Sequence, residues 1–334
     1  MTEIENPKIN KRAINLFTIF DHLFLLRPIL LIPVWSFLLI GYYHSLTVQK
    51  FPQKVGVFPS VPHFLPSKEI LLTLIFYSAL MGSIYILNQI YDLETDRLNK
   101  KLFLLVDGYV KPSAAKAEFF ILAVLSLIAS FFLFPFSFFL FICLSLLLGI
   151  LYSLPPFKFK SRPILDLLSN ALGYGGVAFM IGWLSLSKFS WGGLISSIPY
   201  IFAVGGVYAQ TTLPDIEGDR LSKNITTGVW LGFKKTAFLA MALIGLSFFF
   251  SLLLEDKLCL LASGLSFPLF VLAFLRQNLK MVMISYQVGG IILVLAICFI
   301  FPYFLLLLIL TFLALKWYYK LRLNMNYPSL ADRG

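Results

Sequence analysis

Charged residues are scarce in this chain. They account for 13% of its 334 residues, whereas soluble globular proteins carry roughly 25%. Hydrophobic residues make up 59%, and they are gathered into runs that approach the ~20 residues a helix needs to cross a bilayer. The composition therefore excludes an ordinary soluble domain and predicts a membrane protein built from helices.

Cysteine and histidine are equally scarce, with three of each. Cys143, Cys259 and Cys298 lie far apart inside apolar runs, so they offer neither a disulfide framework nor the spacing of a metal site. The histidines are scattered too, and no Ser-His-Asp arrangement accompanies them. The sequence thus gives no support to thiolate, zinc or serine-hydrolase chemistry.

The apolar runs predict nine membrane spans and a tenth candidate that follows Pro302. We expect the first run to be a retained helix, because no small-residue cleavage site follows it. The runs also divide the chain into an amino-terminal cytoplasmic tail (1–22), a transmembrane domain (23–320) and a carboxy-terminal tail (321–334). The predicted spans are 23–43, 69–90, 117–134, 136–153, 164–186, 194–213, 236–254, 258–275, 281–301 and 303–319.

The formal net charge of +11 is better explained by the orientation of the chain in the membrane than by binding to nucleic acid. With ten spans and the amino terminus inside, only five of the 27 Lys and Arg residues fall on the outer side: Lys50, Lys54, Lys68, Lys188 and Lys257. Basic residues concentrate on the cytoplasmic side of membrane proteins. We therefore expect a multi-pass protein of the cell membrane that contacts membrane lipids, binds no nucleic acid and has its active site toward the cytoplasm.

An acidic nonapeptide occurs twice, as DLETDRLNK at 92–100 and DIEGDRLSK at 215–223. In the first copy, Asn88, Asp92 and Asp96 are spaced by four residues, which places them in one stripe on a helix. Lys100 extends that stripe by one turn. The repetition itself suggests two related halves of the chain.

The second copy repeats the spacing with Asp215 and Asp219, and Lys223 again follows one turn later. Pro214 and Gly218 are expected to kink this helix or fray its end. A solvated helix end with ion pairs would explain one such motif. Two copies on the same membrane face favour a binding site.

The electrostatics of two converging motifs favour a cation between them. Two carboxylates about 4 Å apart repel by about 4 kcal/mol at an effective dielectric near 20, so four of them in one mouth require compensation. Mg²⁺ binds such oxygen ligands and completes its shell with water and substrate phosphates. The neighbouring lysines and arginines would then match the phosphates.

A basic segment, LYSLPPFKFKSRP at 151–163, follows the fourth span. Lys158, Lys160 and Arg162 alternate with other residues, so an extended segment would place all three cations on one face. Tyr152, at the helix end, could reach a phosphate oxygen. The alternative is an ordinary positive-inside loop with an interfacial tyrosine.

The stretches NQIYDLETD, DIEGD and YSLPPFKFKSRP, in this order, resemble the UbiA superfamily of intramembrane prenyltransferases over about residues 20 to 300. The resemblance implies an all-α, polytopic bundle of nine or ten transmembrane helices around a central cavity, with two pseudo-related halves. The chain departs from the family pattern after the first motif, where NKK stands in place of a common NRP segment.

The resemblance also implies roles for individual residues. The proposed metal ligands are Asn88, Asp92, Asp96, Asp215 and Asp219, of which the four aspartates are also the candidate catalytic residues. The candidate diphosphate contacts are Asn88, Lys100, Tyr152, Lys158, Arg162, Lys223 and Arg27. The implied cofactor is Mg²⁺, and the implied substrates are an isoprenyl diphosphate and a lipophilic or aromatic acceptor.

These expectations combine into Mg²⁺-dependent transfer of an isoprenyl group through diphosphate ionisation and an allylic cation. Two alternatives stay open. A membrane terpene cyclase of the same fold would use no second substrate. An ion-coupled transporter is less favoured, because transporters place their ion sites near the bilayer midplane, whereas these aspartates lie at one membrane face.

Overall fold

The computed structural model describes residues 14–50, 65–99 and 103–327, with the side chains of 14–16, 49–50, 95–99 and 103 left out. Within these ranges the chain is helical and contains no strand. The helices are α1 (Ile14–Leu25), α2 (Pro28–Lys50), α3 (Lys68–Asn99), α4 (Phe103–Val106), α5 (Pro112–Leu133), α6 (Phe136–Ser153), α7 (Leu165–Asn170), α8 (Phe179–Leu184), α9 (Trp191–Thr211), α10 (Ile216–Leu221), α11 (Thr227–Leu253), α12 (Lys257–Arg276), α13 (Leu279–Ile300) and α14 (Pro302–Leu323).

Ten helical spans in the described ranges are long and apolar enough to cross a membrane. One of them joins α7 and α8 through a π-helical segment, Ala171–Ala178. The tenth predicted span corresponds to α14, which begins at Pro302 as the sequence suggested. Large apolar side chains cover the outer faces, and Phe132 is 76% exposed. The protein is therefore an integral, multi-pass membrane protein with an all-α fold.

The first predicted span, 23–43, is shifted in the structure. Residues 23–25 belong to α1, and the candidate membrane span is Pro28–Val48. The break has a local cause, because Arg27 has a left-handed backbone conformation with φ of 53° and Pro28 is compatible with only the first turn of a helix. This break places Arg27 at the mouth of a cavity that is also lined by α3 and α6.

Helices α2 and α8 cross in the middle of the bundle at unusually close range. A Cβ added to Gly41 would lie 1.8 Å from the carbonyl oxygen of Phe179, and one added to Gly182 would lie 1.8 Å from that of Leu38. Small residues allow such backbone contact between membrane helices. The contact anchors α8, which continues from the π-helical segment that borders the site.

The two ends of the described chain are joined by a buried ion pair. Asp21 on α1 is fully buried and accepts hydrogen bonds from Tyr318 Oη at 2.6 Å and from Arg322 Nη2 at 2.8 Å. Both partners are on α14. The sequence predicts tails over 1–22 and 321–334, whereas α1 begins at Ile14 and α14 extends to Leu323.

Candidate active site

A cavity of about 530 Å³ lies between α2, α3, α6 and α7, beside the start of α10. Its charged and amide lining groups are Arg27, Asn88, Asp92, Lys160, Asn170 and Asp215. These side chains come from five separate parts of the chain. The cavity continues between apolar side chains of α3 and α6. It therefore combines a polar mouth with an apolar interior.

Asn88, Asp92 and Lys160 form a connected network at this mouth. Lys160 Nζ forms an ion pair with Asp92 Oδ2, and the two side chains are only 13% and 20% exposed. In the amide orientation that satisfies all its neighbours, Asn88 donates to Asp92 at 2.9 Å and accepts from Lys160 at 3.1 Å and from Ser153 at 3.2 Å. The four-residue spacing on α3 thus places Asn88 and Asp92 together, as the sequence predicted.

The basic segment is not extended, and that prediction is wrong. Lys158 adopts a left-handed conformation with φ of 39°, and a 3-10 turn follows over Phe159–Ser161. This turn directs Lys160 into the cavity, whereas Arg162 donates to the carbonyl oxygen of Pro156 at 2.6 Å. Lys158 and Arg162 do not line the cavity. The prediction assumed that every second side chain points to the same side, as in a strand. The backbone turns at Lys158 and again over Phe159–Ser161, so the three cations point in different directions.

The second acidic motif does not continue α9 through a kink, but lies on a separate short helix. The long helix ends at Thr211, and Asp215 occupies the N-cap position of the short helix α10 without a capping hydrogen bond from its side chain. Asp215 lines the cavity. Asp219 lies one turn further, with its N–H donating to the Asp215 carbonyl at 2.8 Å, and its carboxylate accepts from Thr226 Oγ1 at 3.0 Å. Lys223 is exposed and does not line the cavity.

Two predicted site residues fall beyond these observations. The backbone of Asp96 lies on α3, but its side chain lies outside the described set, and Lys100 lies outside the described residues. Among the described residues, no group of three His, Cys, Asp or Glu side chains forms a metal cluster. The oxygen donors that share the cavity are Asn88, Asp92 and Asp215, and hard oxygen ligands of this kind fit Mg²⁺.

Further residues of the cavity escaped the sequence analysis. Asn170, at the end of α7, donates to Tyr152 Oη at 3.4 Å and to the carbonyl of Asp166 at 2.9 Å. Asp166 is buried and accepts the backbone N–H of Thr227 at 2.7 Å, which ties α7 to α11. The stretch LDLLSN carries both polar residues inside an apolar run, and this is the pattern that would have identified them.

A second cavity, of about 450 Å³, lies between α2, α9, α12 and α13. Its lining is almost entirely apolar and includes no charged side chain of the described residues. Leu30, Asn170 and Tyr174 line both cavities. We call the first cavity the polar-mouthed chamber and the second the apolar chamber.

Tyr174 and Tyr85 form the partition between the two chambers. Their hydroxyls are 3.1 Å apart, and Tyr85 Oη donates to the carbonyl of Leu30 at 3.0 Å. Tyr174 lies in the π-helical segment Ala171–Ala178. Such segments are rare and occur often at functional sites. The partition therefore brings a hydroxyl-bearing aromatic wall to the point where the chambers meet.

Comparison with known proteins identifies relatives of this chain. The model of the UbiA prenyltransferase family matches residues 51–281. A curated protein from Oryza sativa subsp. japonica, described as probable homogentisate phytyltransferase 2, is 32% identical over 174 residues, which cover 49% of this chain and 45% of that protein. The chain thus spans about half the length of the curated relatives it matches.

Solved structures share the fold over most of their length. A structure of digeranylgeranylglyceryl phosphate synthase has a TM-score of 0.66 at 20% identity and covers 85% of this chain and 99% of its own. A UbiA homologue from Archaeoglobus fulgidus, bound to GPP and Mg²⁺, has a TM-score of 0.59 at 20% identity, covering 84% and 99%. At this identity the similarity establishes the bundle architecture.

Proposed function

Because this chain belongs to the UbiA prenyltransferase family, we propose that it transfers an isoprenyl group from a prenyl diphosphate to a lipophilic acceptor within the membrane. One observation carries the proposal. The polar-mouthed chamber collects two carboxylates and an amide, from Asp92, Asp215 and Asn88, beside the cations of Lys160 and Arg27, and it continues into an apolar interior. That arrangement matches a charged head followed by a hydrocarbon chain.

The diphosphate group of the prenyl donor binds at the charged mouth of the polar-mouthed chamber. Arg27 and Lys160 present positive charge to the phosphate oxygens, and Tyr152 adds a hydroxyl to the same wall. Fixed cations directed at the charge that develops on a leaving group lower the barrier, since they need no reorganisation during the reaction. Mg²⁺, when bound, would act as a Lewis acid on the departing diphosphate.

Asn88, Asp92 and Asp215 are the residues that would hold Mg²⁺, with Asp96 and Asp219 as the second acids of their motifs. Asn88 orients Asp92 through its amide, and Thr226 orients Asp219. The apolar walls beyond the mouth exclude water, which protects a reactive allylic group from hydrolysis. The basic distribution along the sequence supports a mouth that faces the cytoplasm of a cell membrane.

The apolar chamber favours transfer over cyclisation, since a cyclase needs space for one substrate only. Incubating the purified protein with geranylgeranyl diphosphate and Mg²⁺, with and without a membrane lipid extract, separates the two by mass analysis. We expect an adduct only when the extract is present. A cyclic hydrocarbon formed from the diphosphate alone would overturn transfer in favour of cyclisation.

The roles of Asp92 and Asp215 are tested with variants that remove the negative charge and keep the size of the side chain. We expect Asp92→Asn and Asp215→Asn each to lower kcat by about 10²-fold or more, the loss typical of removing one group that stabilises developing charge. Glu94→Gln and Glu217→Gln are matched controls, because both glutamates are exposed members of the same motifs. Wild-type rates in the aspartate variants, or in the presence of a chelator, would refute the proposal.

A further inference from the structure

The two chambers differ in charge, and this difference assigns them to different substrates. We infer that the apolar chamber holds the acceptor and that this acceptor is a neutral, chain-like isoprenoid lipid. The inference rests on the proposed prenyl transfer and specifies its second substrate.

Every charged side chain that lines either chamber lines the polar-mouthed one, among the described residues. The apolar chamber offers hydroxyls, such as those of Ser36, Ser263 and Ser266, and the amide of Asn170. A carboxylate or phosphate inside it would lose its hydration and find no cation, which is costly in a low-dielectric site. The chamber therefore selects against anionic acceptors and accepts neutral ones.

The apolar chamber is long and narrow. Its lining follows α9 from Thr211 to Tyr200, and the eleven steps between these two residues span about 16 Å at a rise of 1.5 Å per residue. Small side chains and glycines of α12 and α13, including Ala262 and Gly289, form the opposite wall. An isoprene repeat contributes four bonds of about 1.5 Å and extends roughly 4–5 Å. The chamber thus accommodates about three repeats of an extended chain better than a compact polar ring.

The chamber also opens toward the membrane. Gly290 lines it and is exposed, and a Cβ added at this position meets no atom within 4 Å. On a helix with apolar outer neighbours such as Ile291 and Leu295, that opening faces lipid. A chain dissolved in the bilayer can therefore enter sideways without crossing the charged mouth.

The substrates meet where both chambers share Leu30, Asn170 and Tyr174. The C1–O bond of the prenyl diphosphate breaks, and its electron pair leaves with the diphosphate. The π electrons of a terminal double bond of the acceptor form a new carbon–carbon bond to C1. The acceptor cation then loses a proton to the released diphosphate, which restores a double bond. The aromatic face of Tyr174 is placed to stabilise positive charge at this junction.

The acceptor class is tested in phosphatidylcholine nanodiscs with labelled geranylgeranyl diphosphate and Mg²⁺. The probes are lycopene as a neutral isoprenoid chain, geranylgeranylglyceryl phosphate as an anionic chain and 4-hydroxybenzoate as an anionic ring. We expect kcat/KM for lycopene to exceed that of either anionic probe by about tenfold or more, since a site rejects groups it cannot pair. A preference for either anionic probe overturns the inference.

Two glycines provide a matched pair for the chamber assignment. Gly173 lines the polar-mouthed chamber and Gly290 the apolar one, and neither has an atom within 4 Å of an added Cβ. We expect Gly290→Leu to raise the acceptor KM by about tenfold while the donor KM stays within about twofold, and Gly173→Leu to show the reverse. Gly290→Ala gives a smaller effect in the same direction if the leucine variant misfolds.

Failure of this inference differs from failure of the proposed function. If diphosphate is released from the donor in an Mg²⁺-dependent manner, but Gly290→Leu leaves the acceptor KM unchanged, the acceptor lies elsewhere and only the inference falls. If no prenyl diphosphate is ionised under any condition, the proposed function falls and the inference with it.

Discussion

Lys160 provides the sharpest test of the site. The sequence placed it in a basic loop, whereas in the structure its side chain lines the mouth of the cavity. We predict that Lys160→Ala lowers kcat/KM for the prenyl diphosphate. The residue is 13% exposed and paired with Asp92, so its charge is only partly screened. A hydrogen bond to a charged group contributes about 1.5–3 kcal/mol, which corresponds to a loss of about 10- to 150-fold.

The assay is steady-state release of diphosphate at saturating acceptor, followed over a range of donor concentrations. Lys158→Ala is the matched control, since it removes the same charge from the same loop but from a side chain that does not line the cavity. We expect this control to retain wild-type kinetics within about threefold, as for surface charges. Lys160→Arg should recover part of the loss. Equal behaviour of the two alanine variants would refute the assignment of Lys160.

Three further predictions concern the scaffold. Asp21→Ala should lower the free energy of unfolding by about 3–5 kcal/mol, because it leaves the Arg322 charge without its buried partner; an unchanged melting temperature in detergent would contradict this. Gly41→Ala should destabilise by about 1–3 kcal/mol through overpacking against Phe179, whereas Gly290→Ala, with open space around its Cβ, should not. Burial alone would raise the pKa of Asp256, but His44 Nε2 at 3.3 Å and the N–H of Cys259 lower it below the usual value. Because its pKa is lower in the folded state, the ionised Asp256 stabilises the protein at pH values above the unfolded-state pKa near 4, and this contribution is lost as the pH falls further. The difference in unfolding free energy between wild type and Asp256→Asn should therefore shrink below about pH 4. A difference that stays constant with pH would contradict the pairing.

Local patterns in the sequence predicted the helices and part of the mouth. Four-residue spacing placed Asn88 beside Asp92 on one stripe of α3, and charge distribution supported the tenth helix. These features depend on neighbours within one helix or on composition. The structure places Asp215 at the same cavity. Asp215 stands at the start of α10, after α9 has ended, and not on one continuous helix as the four-residue spacing suggested.

Features that depend on distant residues stayed beyond the sequence. The partition joins Tyr85 of α3 to Tyr174 of a π-helical segment, and the ion pair between Asp21 and Arg322 bridges 301 positions. Neither contact follows from a repeating pattern of residues within one helix. The loop around Lys160 was misjudged because left-handed and 3-10 conformations depend on how α6 and α7 are anchored, which a two-residue alternation does not encode.

The central claim is that the two aspartate motifs form one metal-dependent diphosphate site. Equilibrium binding of geranylgeranyl thiolodiphosphate, an unreactive donor analogue, tests it most directly when measured with and without Mg²⁺. We expect Mg²⁺ to strengthen binding by about tenfold or more in the wild type, Glu94→Gln and Glu217→Gln proteins, and to have little effect in Asp92→Asn and Asp215→Asn, which lack a ligand charge. Equal Mg²⁺ enhancement in the aspartate variants and the wild type would contradict the account.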